Sequence, residues 1–244
     1  NWKQADAPWS FKFQRWILER QNRKVTINGN WPGQPEHCLT FDNPCLTESE
    51  IAAGKLARAD ASKFNDPIDF CFVGRLEDAK GVDIIIDAFL NLEPESGATV
   101  GTMHFVGDGV KRPEYEDRTK DSGIKFKFHG WLPREGVHDI FKRSSAILLP
   151  SASEGFPKVI PEAKNYGCVP IISKIKSLIP IISDGENGFI LKDRTADQLI
   201  HVLNSFLSMT EGAKAKMVEF TDEDIVRYTY KFYNNRIMDE IIGD

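Results

Sequence analysis

The 244-residue chain has no apolar run near the roughly 18 residues that a bilayer-spanning helix needs, and it opens without a signal-peptide pattern. It also lacks a strong charge of one sign. Its 31 basic and 36 acidic residues leave a net charge of −5, so no global field draws it toward nucleic acid. Cysteine is scarce, with four residues. Cys71 and Cys168 fall inside apolar runs and read as buried reduced thiols. Cys38 and Cys45, with His37 adjacent, have no second close pair to complete a zinc set. Gly107-Asp108-Gly109 lacks the full dinucleotide fingerprint and suits a simple tight turn as well as a ligand loop. These absences set a cytoplasmic location as the default expectation.

What is present is ordinary globular composition, 41% hydrophobic and 27% charged, in a chain long enough for one large domain or two small ones. From residue 66 onward, short apolar runs alternate with helical patterns. Strands are expected at 69–73, 103–106, 125–129, 146–149, 169–172 and 189–191. Helices are expected at 82–92, 113–120, 134–144, 158–166 and 196–207. That alternation predicts an α/β fold with a doubly wound, mostly parallel sheet, whose ligands bind at the carboxyl ends of its strands.

The first 65 residues differ. Four of the five tryptophans (Trp2, Trp9, Trp16, Trp31) fall in the first 31 positions. Residues 8–24 suit a basic helix with Trp9, Phe13 and Trp16 on one face. Such a helix can lie on an anionic membrane, which would place the protein at the inner membrane face, but packing against a domain is the favoured reading. A short strand-like 25–29 and a turn-rich 30–37 follow. Thr47 with Glu50 forms a capping box for a helix running to about residue 60.

Residues 151–173, SASEGFPKVIPEAKNYGCVPIIS, carry the strongest signal. Glu154 and Glu162 stand astride a Gly-Phe-Pro turn. A strand delivers the first acid to a loop, and a helix ending near Gly167 carries the second about two turns deeper, roughly 12 Å along its axis. Free amides at a helix start favour an anion between them. Hydroxyl-binding acids around a phosphate suit a sugar nucleotide. A second loop, after the strand ending at Gly74, offers Arg75 and Lys80, which suit a diphosphate. The bland reading there is a solvated basic loop paired with Glu77 and Asp78. The backbone of His129-Gly130-Trp131 could meet a nucleobase and the ring could stack, although a packed Trp131 is the commoner outcome. His104, within a strand, reads as structural. Asp222-Glu223-Asp224 after Thr221 reads as a capped helix start rather than a metal site.

With VGRLEDAKG, VGDG, FHGWLP, SEGFPKVIPEAKNYGCVPI and DGENGFIL in order, residues from about 40 to 244 resemble the carboxyl-terminal half of a retaining GT-B glycosyltransferase of family 4. The resemblance implies that Glu162 binds the donor ribose and Glu154 the transferred sugar. It implies that Arg75 and Lys80 hold the diphosphate as it leaves, without a metal. Gly74 and Gly130 would line the nucleotide site, and the Gly155 and Phe156 amides would face phosphate or sugar oxygens. Family members often carry glycine where Pro157 stands, and Pro161 inside the helix is a second departure. No cofactor is implied; a nucleotide-diphosphate sugar is the donor substrate.

A complete member has two Rossmann-like halves. Residues 1–65 are expected to be a remnant of the acceptor half and the connection. Residues 66–244 would form the donor domain, with a final helix at about 222–242 crossing back and its aromatics more exposed than usual. The isolated fragment would bind donor and turn over poorly, a glycan or lipid-linked acceptor being held by the other half. The alternatives are a non-catalytic nucleotide-binding or interaction module and a GT-B enzyme of another kind, such as a sugar-nucleotide epimerase.

Overall fold

The computed structural model describes residues 8–28 and 33–243; Trp2 and residues 29–32, with Trp31 among them, lie outside. The amino-terminal part holds helix α1 (Trp9–Arg20), two short parallel strands, β1 (Val25–Ile27) and β2 (Cys38–Thr40), and helix α2 (Glu48–Ala59). The capping box at α2 forms as the spacing predicts: the Glu50 amide donates to the Thr47 hydroxyl (3.3 Å) and the Thr47 amide to the Glu50 carboxylate (2.8 Å). On α1 the aromatic row is present, Trp9 stacking on Phe13 at 5.2 Å and Phe13 on Trp16 at 6.0 Å. No residue of α1 is buried, and Trp9 is 76% exposed, so among the described residues the row stays open to solvent.

The alternating pattern then unfolds as β3 (Ile68–Val73), α3 (Val82–Leu90), α4 (Pro94–Ala98), β4 (Val100–Val106), α5 (Arg112–Thr119) and β5 (Lys125–Phe128). It continues with α6 (Arg134–Arg143), β6 (Ser144–Leu149), α7 (Val159–Asn165), β7 (Val169–Ile172), β8 (Phe189–Ile190) and α8 (Ala196–Leu207). Three short helices follow: α9 (Glu211–Lys216), α10 (Asp222–Val226) and α11 (Tyr230–Ile237).

Strands β3 to β8 form one sheet in the order β5-β4-β3-β6-β7-β8, every pair parallel. Parallel strands covered by helices on both faces must be apolar throughout, and β6 and β7 are buried at every position. Edge strand β5 instead alternates exposed Lys125 and Lys127 with half-buried Phe126 and Phe128, which blunts an open edge. Aromatic contacts tie the layers together. Phe70 of β3 meets Phe89 of α3 edge-on at 5.3 Å and Phe206 of α8 at 6.0 Å. Each such buried ring contributes on the order of 1.5–3 kcal/mol.

The strand order reverses between β3 and β6. From β3 the chain winds outward to β4 and β5, then returns to the other side of β3. Loops leaving neighbouring strands that wind in opposite directions diverge, and the crevice between them is where open α/β sheets hold ligands. The loops in question are residues 74–81 and 150–158.

One element departs from expectation. The final helix is not continuous: it breaks between α10 and α11. The amides of Cys45 and Leu46 donate to the Tyr228 carbonyl at 2.8 and 3.0 Å, and the Tyr230 amide donates to the Leu46 carbonyl at 3.1 Å. Backbone spent on that pairing cannot serve a helix, and Thr229 restarts one by capping the Phe232 amide. The expected exposure of the aromatics is met only in part. Tyr230 and Phe232 are exposed, but Tyr228 is buried with Cys45, Leu46 and Ile225 in a small second core.

Candidate functional site

The two crevice loops are laced together. After β3, Asp78-Ala79-Lys80 make a single tight turn, and Gly81 follows at φ 77°. A side chain at Gly81 would sit 2.5 Å from the Pro150 carbonyl oxygen, so positive φ and close approach both demand glycine. The Ala152 amide donates to the Ala79 carbonyl at 2.8 Å. Arg194, in the loop after β8, donates to the Pro150 carbonyl at 2.6 Å and to that of Asp78. Asp78 is in turn held by Lys111 and by the Tyr115 hydroxyl at 2.8 Å.

Within that frame Lys80 and Glu154 form an ion pair at 2.7 Å with both side chains largely covered. Arg75 reaches outward, its side chain 75% exposed and paired to Glu77 at 3.1 Å. The solvated-loop reading therefore describes Arg75 but not Lys80. Gly74 closes β3, its amide donating to Val106. Gly130 follows β5, its carbonyl accepting from the Gly107 amide at 2.8 Å. Gly155 is exposed, and Phe156 stacks on Tyr228 at 6.0 Å. Arg75, Lys80, Glu154, Gly74, Gly130, Gly155, Phe156 and Glu162 all lie at or just beyond the carboxyl edge of the sheet.

Helix α7 opens at Val159, one residue later than expected, so Glu162 is its fourth residue, about one turn inside the helix. Pro161 is the third, where a missing amide costs no helical hydrogen bond. Glu162 accepts from Arg134 at 3.1 Å, and its side chain is 12% exposed. Burial raises its carboxyl above the usual range, with Arg134 pulling the other way.

Arg134, Glu50 and Arg194 went unrecognised as site residues in the sequence. A signal did exist for Arg134. It is the first residue of α6, and a cation there opposes the helix dipole, so another interaction must hold it. Its Nε and Nη2 fork onto both Glu50 oxygens at 2.6 and 2.8 Å, and Nη2 also meets the Cys45 carbonyl. Burial works against ionising Glu50, but hydrogen bonds from Arg134 and the Thr47 amide bring its carboxyl down to about 2.

Trp131, expected to pack, is 79% exposed beside Gly130. His104 is buried and engaged at both ring nitrogens, by Asp69 at 3.1 Å and His129 at 2.9 Å. The Thr221–Asp224 capping box forms. Cys38, Cys45, Cys71 and Cys168 are free and buried, and His37 contacts the Leu18 carbonyl at 2.6 Å.

A family model, glycosyl transferases group 1, matches residues 55–223, which include both crevice loops, α7 and Arg134. The lipopolysaccharide 1,6-galactosyltransferase of Salmonella typhimurium is 30% identical over 182 residues, 72% of this chain and 50% of that protein. A glycogen synthase of Thermodesulfovibrio yellowstonii is 28% identical over 170 residues, 68% of this chain and 33% of that one. The chain thus spans about a third to a half of the length of the curated relatives it matches. Among solved structures, Anabaena HepE in complex with UDP and glucose superposes with a TM-score of 0.65 at 21% identity, covering 87% of this chain and 59% of that one, a likeness of fold. A match across more than half the chain, the parallel doubly wound sheet and the laced crevice agree: this chain belongs to the glycosyl transferases group 1 family.

Proposed function

We propose that the chain is the donor-binding, carboxyl-terminal part of a retaining family 4 glycosyltransferase, moving a sugar from a nucleotide-diphosphate sugar to an acceptor hydroxyl. The observation that carries this reading is the covered Lys80–Glu154 pair at the reversal of strand order, with Glu162 on the same edge. HepE, of like fold, was solved with UDP and glucose, which supports a nucleotide-sugar donor.

In this reading Lys80 and Arg75 neutralise the diphosphate as its bond to the anomeric carbon breaks; the acceptor oxygen joins that carbon on the face the leaving group occupied, and its proton passes to the departing diphosphate. Fixed positive charge aimed at a departing anion is the main catalytic contribution of this part. It meets the need without a divalent metal. Glu162 takes ribose hydroxyls and Glu154 the transferred sugar, while the Gly155 and Phe156 amides face oxygens. Gly74 and Gly130 let the nucleotide approach the backbone. Pro157 has no N–H to offer. Acceptor-orienting groups come from another part of the protein, so this chain alone binds donor and turns over poorly.

The division of labour between the acids is the test. Glu162→Ala is expected to weaken bare nucleoside diphosphate by about 1–3 kcal/mol, the worth of a charged hydrogen bond. Glu154→Ala, which also frees Lys80 from its ion pair, is expected not to weaken bare nucleotide and to weaken only the sugar-bearing donor. Calorimetry of both variants with UDP and UDP-glucose, with and without chelator, checks it. Equal behaviour of the two variants toward both ligands overturns the assignment, and loss of wild-type binding in chelator overturns metal independence.

A further inference from the structure

A single guanidinium joins three pieces of the crevice wall. Arg134 opens α6, yet it is held by Glu50 of α2 through a bidentate fork and by the Cys45 carbonyl before α2. With its position so fixed, it presents Nη1 to Oε1 of Glu162 on α7 at 3.1 Å. Among the described residues Arg134 is the sole hydrogen-bond partner of the Glu162 carboxylate, and it uses one oxygen only. The second oxygen, on a mostly covered side chain at the ligand-binding edge, is left for a ligand.

We infer that Arg134 is a positioning residue for the donor: anchored by Glu50, it holds the Glu162 carboxylate turned so that its free oxygen meets the nucleotide ribose. The inference rests on the donor-site reading above.

The energetics support this division. Two carboxylates share one cation, and the bidentate partner takes the larger part of it. Glu50 is accordingly held far down, whereas Glu162 stays raised by burial despite Arg134. Glu162 is thus the acid whose charge depends on keeping its partner. Removing the guanidinium leaves burial opposed by Lys158 alone, and proton uptake by Glu162 moves to higher pH. A protonated carboxyl has lost the acceptor strength that ribose hydroxyls require. Affinity should therefore fall as pH falls through the raised value and recover above it. Other charged or titratable groups face this carboxylate: Glu50 on α2, Lys158 just before α7, Tyr166 just after it and the Cys45 thiol, while His138 on α6 contacts Glu50 at 3.6 Å. The pH profile is therefore read against Glu162→Gln, which removes the titration of Glu162 alone.

The experiment is calorimetric titration of the chain with UDP, ADP and GDP, followed by a pH series with whichever binds best. Arg134→Met is expected to weaken that nucleotide about tenfold at the acid end of the series, the loss narrowing toward its alkaline end. In a Glu162→Gln background Arg134→Met should have little further effect, since residues acting through one another are not additive. Arg134→Lys, which keeps a cation but not the fork, should fall between the two and serves where the methionine variant does not fold. A merely structural role would lower melting temperature without changing the pH profile or producing that non-additivity. If wild type binds none of the three nucleotides, the donor-site reading fails and this inference with it. If wild type binds and both Arg134 variants keep its affinity and pH profile, or if losses add fully in the Glu162→Gln background, the inference alone is overturned.

Discussion

Trp131 shows how a residue can be conspicuous in the sequence and still surprise. A tryptophan closing a strand normally buries its ring, because that ring is worth several kcal/mol removed from water. Here Gly130 at φ 70° turns the chain, and the side chain is left facing solvent at the carboxyl edge of β5. A large ring left wet at the carboxyl edge of the sheet is available to stack on a planar ligand. Binding of UDP is accordingly expected to change tryptophan fluorescence, and Trp131→Phe should abolish most of that change, although other tryptophans remain. An unaltered signal in the variant would assign the change to another tryptophan.

At the scale of elements, two loops from β3 and β6 hold their shape through partners distant in sequence. Arg194 crosses from the β8 side to bond Pro150 and Asp78 carbonyls. Arg194→Ala should cost about 1–2 kcal/mol for the two charge-assisted bonds, less than their full worth because one end is exposed. It should also speed hydrogen exchange at the Ala152 amide, which donates to Ala79 in the same lacing. Urea denaturation and exchange mass spectrometry would measure the two effects. Unchanged exchange would mean the backbone bond and Gly81–Pro150 packing suffice. The sheet itself was legible, because the apolar run of 169–172 and the pattern of 196–207 are local signals, and both elements match to the residue. The Glu154–Glu162 spacing and the Arg75 to Lys80 loop were legible for the same reason. The break before Thr229 was not. Helical periodicity runs on through 222–242, and only pairing with Cys45 and Leu46, far along the chain, takes that backbone away. Arg194 was hidden similarly, since a lone arginine has no period and its partners come from other elements, while Arg134 betrayed itself only by its awkward place at the start of α6.

For the molecule as a whole, acid should weaken the fold partly through Glu50. Its folded-state carboxyl lies below the ordinary value, so its stabilisation is complete above about pH 4.5 and is lost as pH falls toward about 2. Glu162 carries the opposite sign: its raised carboxyl opposes folding while ionised, and that penalty eases on acidification. Wild type and Glu50→Gln should therefore differ in urea midpoint at pH 7 and converge between about pH 4.5 and about pH 2. A constant gap across that window would remove Glu50 from the acid response. Charge also bears on how a ligand would arrive. The chain is net −5, and in the crevice Glu154 cancels Lys80 at 2.7 Å. Such a site casts little long-range attraction for anions, so capture depends on the collision rather than on steering from afar. Ionic strength would then hardly alter the rate of nucleotide arrival, and small anions would meet a lysine that already holds its own counter-charge.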